Sequence, residues 1–217
     1  MTAPEAFIRA HTAIARPPLV PEIALHLATE ITPIWQATET FLQETGIEPP
    51  FWAFAWPGSQ ALARAVLDGP RLDGCRVLDF AAGCGLAGIA AAMRGAEVEC
   101  AELDPLALAA CRLNAALNGV TLATPAGDVV GSARRWNLIL AGDVCYEAPM
   151  VAHILPWLRR MAAEGVEVRI ADPGRAYLPR EGLATLAKYD VPTSLELEDR
   201  AKRHVTIARL ASLTFPP

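Results

Sequence analysis

A chain of 217 residues is the size of one α/β domain, and with 53% hydrophobic residues it has the means to bury a large core. The formal charge of −5 argues against a phosphate-backbone binder, so nucleic acid is not expected as a partner. No apolar run approaches the roughly 20 uncharged residues of a membrane span, so a soluble protein, taken as a monomer, is expected.

The proline-rich start of the chain reads as a helical and loop extension, residues 1–55, packed on a core domain of residues 56–217. It carries Glu5 and lacks the apolar region of a secretory signal, while Arg9 and Arg16 leave a transit peptide open as an alternative. Cys75, Cys84, Cys100, Cys111 and Cys145 are odd in number and without C-x-x-C spacing. They suggest neither a disulfide framework nor a metal site, and they fit a reducing cytoplasm.

From Arg76 onward short apolar runs alternate with amphipathic stretches. R-V-L-D-F (76–80) reads as a buried strand and L-A-G-I-A-A-A-M-R (86–94) as the helix after it. A-E-V-E-C-A-E (96–102) is a second strand, and a helix opens at Pro105, a good first-turn residue, and runs to Asn118-Gly119. T-L-A-T (121–124) is a third strand, W-N-L-I-L-A-G (136–142) a fourth, M-V-A-H-I-L-P-W-L-R-R-M (150–161) a helix and V-E-V-R-I-A-D (166–172) a fifth strand. The end of the chain alternates apolar and polar residues in S-L-E-L-E-D (194–199) and H-V-T-I-A-R-L (204–210), which suggests a terminal hairpin. The expected fold is α/β: a doubly wound, Rossmann-like sheet of seven strands, mostly parallel, with a C-terminal antiparallel hairpin.

Gly83, Gly85 and Gly88 have the G-x-G-x-x-G spacing of a dinucleotide turn, a weak signal alone. The strand, however, ends at Asp79, whose carboxylate would face a diphosphate with like charge. S-adenosyl-L-methionine reverses that sign, because it carries an ammonium and a sulfonium and no phosphate. Glu102, at the end of the second strand, stands where an acid accepts from ribose hydroxyls, and Leu103 beside it is placed to lie against adenine. Asp128 follows the third strand and is placed to accept from the adenine amino group, with the Val129 amide near a ring nitrogen. Glu102 and Asp128 also remain open to the plainer reading of solvated strand-end acids.

Three further stretches carry a resemblance. P-P-F-W-A-F-A-W-P-G-S-Q-A-L-A-R (49–64) resembles the W-P-G segment of the seven-strand protein-lysine methyltransferases called family 16. G-D-V-C-Y-E (142–147) resembles that family's D-x-x-[YF]-[DE] motif. D-P-G-R-A-Y-L-P (172–179) is similar to one branch, the lysine methyltransferases of the electron transfer flavoprotein β subunit. Ala81-Ala82 stand where many relatives have Gly or Ser, and Glu102 stands where Asp is commoner.

The resemblance implies an S-adenosyl-L-methionine-dependent transfer to lysine of a protein substrate, the flavoprotein β subunit or a ribosomal protein. Small-molecule N-methylation and non-catalytic cofactor binding are the alternatives. It places Asp143 to orient the amine or receive its proton, and Tyr146 to wall the channel and hydrogen-bond the amine; a helix cap and a core aromatic are the competing roles. Trp56 is expected over the methionine end of the cofactor, or as core packing. Cys84 of the glycine turn and Gly142 complete the cofactor set with Gly83 and Gly85, Cys84 being read chiefly as a small apolar residue. Asp172 and Arg175 either contact substrate or brace their loop, and His153 and the other histidines are assigned no role.

Overall fold

The computed structural model describes residues 2–28, 50–193, 198 and 200–211. Helix α1 (Ala3–His11) opens at a capping box of Thr2 and Glu5, and β1 (Ala13–Ala15) pairs antiparallel with β2 (Leu25–Leu27). A 3-10 turn (Phe51–Ala53) leads into α2 (Pro57–Asp68). The chain then alternates through β3 (Arg76–Phe80), α3 (Leu86–Met93), β4 (Glu97–Ala101), α4 (Pro105–Leu117), β5 (Leu138–Gly142), α5 (Ala148–Ala163) and β6 (Glu167–Asp172). It closes on β7 (Leu183–Pro192) and β8 (Lys202–Leu210).

The main sheet runs β4-β3-β5-β6-β8-β7, with the first four strands parallel and β8 antiparallel to both neighbours. Alternate residues of each parallel strand face opposite layers. Val77, Leu138 and Leu140 meet α2 and α3, whereas Leu78, Ile139, Val168 and Ile170 meet Trp157, Leu158 and Met161 of α5. Helix α4 is buried on two sides, with Cys111 and Ala115 toward α3 and Leu106, Ala109 and Leu113 toward Ile8 and Trp52. Its Asn114 and Asn118 side chains accept from the backbone N–H groups of His26 and Ala24, which ties the N-terminal segment down.

Two expectations are corrected. The sheet has six strands among the described residues, because T-L-A-T contributes only the bridge of Ala123 to Glu99; two ladder bonds, Cys100 N to Ala123 O and Ala123 N to Val98 O, are all the chain forms there. The terminal hairpin exists, but its first strand is Leu183–Pro192, upstream of 194–199. Of that expected strand, 194–197 and 199 lie outside the described residues. As an edge strand, β7 buries little besides Val191, so its alternation is weak in sequence even though it pairs with β8 along its whole length.

After β4 the chain crosses to the other side of β3 to form β5. The strand order therefore reverses between β3 and β5, and a crevice opens at their carboxyl ends, the place where open α/β sheets bind ligands.

Candidate active site

A cavity of about 480 Å³ occupies that crevice. One wall is aromatic: Phe51, Phe54, Trp56 and Tyr146, with Phe51 5.7 Å from Tyr146 and 6.0 Å from Trp56 between ring centroids. Trp56 is fixed by its Nε1–H, which donates to Phe51 O at 2.8 Å.

The glycine turn forms the floor. Gly83 (φ 54°) donates its N–H to Glu102 Oε1 at 2.6 Å, and Cys84 lies beside it with its thiol pushed up to about 12 by burial. Such a thiol packs rather than reacts. Asp79 and Gly85 do not themselves line the cavity; they lie under the turn that does. Asp79 is buried beneath the turn, where Oδ2 accepts from Gly88 N at 2.7 Å. Burial raises its carboxyl to about 8, and the nearby Glu102 adds to the rise against the pull of the Gly88 amide. Gly85 is the N-cap of α3, and a Cβ there would stand 3.1 Å from Cys111 Sγ of α4. Both residues shape the turn from below.

Glu102 stands on the wall, with its carboxyl raised to about 7, first by burial. Leu103 is exposed at the lip. Asp128 and Val129 also line the cavity. Asp128 Oδ1 accepts from Val130 N at 2.8 Å, and Oδ2 meets His153 Nε2 at 2.7 Å.

The opposite end is organised by Asp143, which has φ 59°, a left-handed conformation that Asp tolerates better than most residues. Helix α2 has Trp56 as N-cap, with no side-chain oxygen to offer, and Pro57 after it; the next amides, Gly58 and Ser59, need an acceptor from elsewhere. Asp143 Oδ2 supplies it, accepting from Gly58 N at 2.6 Å and Ser59 N at 3.3 Å. Asp143 thus does cap a helix, and that helix is α2, far from it in sequence, and not α5, which follows it. Close approach explains two glycines. A Cβ on Gly58 would stand 2.6 Å from Ala171 O and 2.8 Å from Asp143 N, and one on Gly142 would stand 2.8 Å from Ser59 N. Gly142 itself lines the cavity.

Asp143 Oδ1 accepts from Arg175 Nη2 at 2.9 Å. Burial pushes the Asp143 carboxyl up to about 6, and Arg175 opposes the rise. Asp172 is not on the cavity wall; its Oδ1 accepts from the backbone N–H groups of Gly174 and Arg175, both at 2.6 Å. Of the two readings left open for this pair, Asp172 braces the loop through backbone bonds, while the Arg175 side chain enters the cavity 5.8 Å from the Trp56 ring centre.

Sequence reasoning missed four contributors. His153 lay in a helix without ligand spacing, Gly58 and Ser59 act through backbone amides, and Glu198, which accepts from Arg175 and Arg203, sits in a stretch read only as a strand. The nearest signal was the W-P-G sequence itself.

The donor set suits a cation. Glu102, Asp104, Asp128, Asp143 and Glu147 line the cavity, and the guanidinium there, Arg175, is already paired with Asp143 and Glu198. A diphosphate would meet these acids unfavourably, whereas the ammonium and sulfonium of S-adenosyl-L-methionine are favoured. Residues 60–158 match the family model described as ribosomal protein L11 methyltransferase (PrmA). The solved ribosomal protein L11 methylase of Lactobacillus delbrueckii subsp. bulgaricus is similar with a TM-score of 0.51 at 20% identity, covering 73% of this chain and 80% of that one. Magnesium protoporphyrin IX methyltransferase of Synechocystis with bound SAH aligns with a TM-score of 0.51 at 17% identity, over 70% of this chain and 83% of that one. Fold and site define a class I S-adenosyl-L-methionine-dependent methyltransferase. At 40% identity over 210 residues, 91% of this chain and 83% of the relative, the chain is similar to the electron transfer flavoprotein beta subunit lysine methyltransferase of Xenopus laevis. It belongs to the family of electron transfer flavoprotein β subunit lysine methyltransferases.

Proposed function

We propose that the chain transfers methyl groups to lysine side chains of the electron transfer flavoprotein β subunit, and that its range extends to a ribosomal protein. The observation that carries this reading is the juxtaposition, in one cavity, of an acid-lined cofactor end and the aromatic-walled Asp143 at the other. When bound, S-adenosyl-L-methionine supplies an electrophilic methyl group on a sulfonium. The residues that would hold it are Glu102 toward the ribose, Leu103, Asp128 and Val129 toward the adenine, and Gly83, Cys84 and Gly142 along its length, with Trp56 over the methionine end.

The protein's task is to deliver a neutral amine in line. A free lysine has a pKa of roughly 10.4, so near neutrality only about one in a thousand is uncharged. The rings of Phe51, Phe54, Trp56 and Tyr146 exclude water, which lowers that pKa. Oδ1 of Asp143 keeps an acceptor site beyond its bond from Arg175 and aims the nitrogen, while the Tyr146 hydroxyl offers a second contact. The five free cysteines suit a reducing compartment such as the bacterial cytoplasm, and we read the active form as a monomer.

The test is transfer of a labelled methyl group from S-adenosyl-L-methionine to purified flavoprotein β subunit, to ribosomal protein L11 and to free lysine or simple amines. Label on protein lysine supports the proposal. Label on the small amines alone would make this a small-molecule methyltransferase, and binding of the cofactor with no acceptor labelled would leave a non-catalytic binder.

A further inference from the structure

Behind Asp143 lies a chain of alternating charge, its carboxylates buried and its two arginines partly exposed, that the mechanism above does not use. Arg175 Nη2 is shared between Asp143 Oδ1, at 2.9 Å, and Glu198 Oε1, at 3.0 Å. Glu198 lies between β7 and β8, and its side chain is only 2% exposed. Its other oxygen, Oε2, accepts from Arg203 Nε of β8 at 2.7 Å. The Arg175 Nε–H is buried with no hydrogen-bond partner among the described residues, so the guanidinium is placed by Nη2 and by the Trp56 ring face.

This arrangement has a mechanical consequence. Arg175 hangs from a loop and makes no other ion pair in the described structure, so a guanidinium with Asp143 as its sole carboxylate would be free to pivot about that bond. Glu198 removes the freedom by pulling on the same nitrogen from the hairpin side, and Arg203 holds Glu198 in turn. Two guanidiniums thus stand against this buried side chain, one on each oxygen. Cutting it out would leave Arg175 unbalanced on Asp143 Oδ1, the oxygen toward which the amine is delivered.

We propose that Glu198 is a positioning residue for methyl transfer, acting through Arg175 to fix the Asp143 carboxylate at the inner end of the cavity. The proposal rests on the lysine-methyltransferase reading above. It couples the terminal hairpin to the reacting end of the site, whereas the cofactor end, at Glu102 and Asp128, lies outside the network.

The test compares the native enzyme with Glu198→Gln, which keeps the side chain's size and removes its charge. NMR of the Arg175 guanidinium protons is expected to show hindered rotation in the native protein and free rotation in the variant. With the β subunit as substrate, kcat falls on the order of tenfold to a hundredfold, as a misplaced catalytic group costs. KM for the β subunit and the affinity for S-adenosylhomocysteine stay within about twofold, because Glu102 and Asp128 lie outside this network and the substitution leaves the Trp56 ring, fixed by its bond to Phe51, in place. Unchanged rotation of Arg175, or a loss of S-adenosylhomocysteine affinity as large as the loss of kcat, would overturn the proposal. Should the native enzyme methylate no β subunit, the functional reading fails while the rotation measurement still decides the positioning. If Glu198→Gln melts early, Arg203→Gln, which loosens Glu198 from the other side, is expected to show the same pattern at smaller size, and its absence counts against the proposal.

Discussion

Gly58 donates its backbone N–H to Asp143 Oδ2 at 2.6 Å, joining the W-P-G segment to the end of β5 across 85 residues of sequence. The bond satisfies a helix N-terminus and holds a carboxylate on the cavity wall, at the end where the proposed mechanism delivers the amine.

Gly58→Ala is therefore expected to be disproportionately harmful. The added Cβ would stand 2.5 Å from Asp143 Oδ2 and within 2.6 Å and 2.8 Å of two backbone atoms, Ala171 O and Asp143 N. None of these is a flexible side-chain end, because Asp143 is pinned by Arg175. A loss of about 1–3 kcal/mol in denaturant unfolding, with methyl transfer falling further than cofactor binding, is expected.

Stability should decline as pH rises. Asp79, Glu102 and Asp143 are held at about 8, 7 and 6 by burial, whereas in the unfolded chain they ionise at about 4. Between those limits the native state binds more protons than the unfolded one, so raising the pH favours unfolding, the reverse of a salt-bridged acid. Denaturant midpoints taken between about pH 5 and pH 9 should fall for the native protein and fall less for Asp79→Asn, whose amide oxygen still accepts from Gly88. A flat profile in the native protein would contradict the burial argument.

Glu102 gives cofactor binding its own pH dependence. In the proposed binding mode its ionised form is the one that accepts from ribose hydroxyls, and that form appears as pH passes about 7. Calorimetric titration with S-adenosylhomocysteine should show tightening through that range with release of protons. Glu102→Gln should flatten the dependence and weaken binding roughly 10- to 100-fold above it, the scale of a buried hydrogen bond to a charged group.

The parallel half of the fold was legible because its strands are buried on both faces. R-V-L-D-F and V-E-V-R-I-A-D read within a residue of β3 and β6. The edge was not: β7 mixes Ala, Thr, Lys and Asp, and what marks it as a strand is its pairing with β8. At the site, Glu102 and Asp143 could be placed on the cavity by their positions after strands, and Asp128 by its position after T-L-A-T, which forms only a bridge. The bond that Asp79 accepts from the Gly88 amide, nine residues on, was not legible, because spacing alone does not say which backbone donor a strand-end acid meets. Nor was the capping of α2 visible, since its donors are backbone groups of a distant segment.

The most direct measurement is intact-protein mass spectrometry of flavoprotein β subunit incubated with S-adenosyl-L-methionine and either the native enzyme or Asp143→Ala. Methyl-sized increments on lysine with the native enzyme, and none with a variant that still binds S-adenosylhomocysteine, is the expected result. Equal methylation by the two proteins would contradict the assignment of the reacting end to Asp143, and none by either would remove the β subunit as substrate.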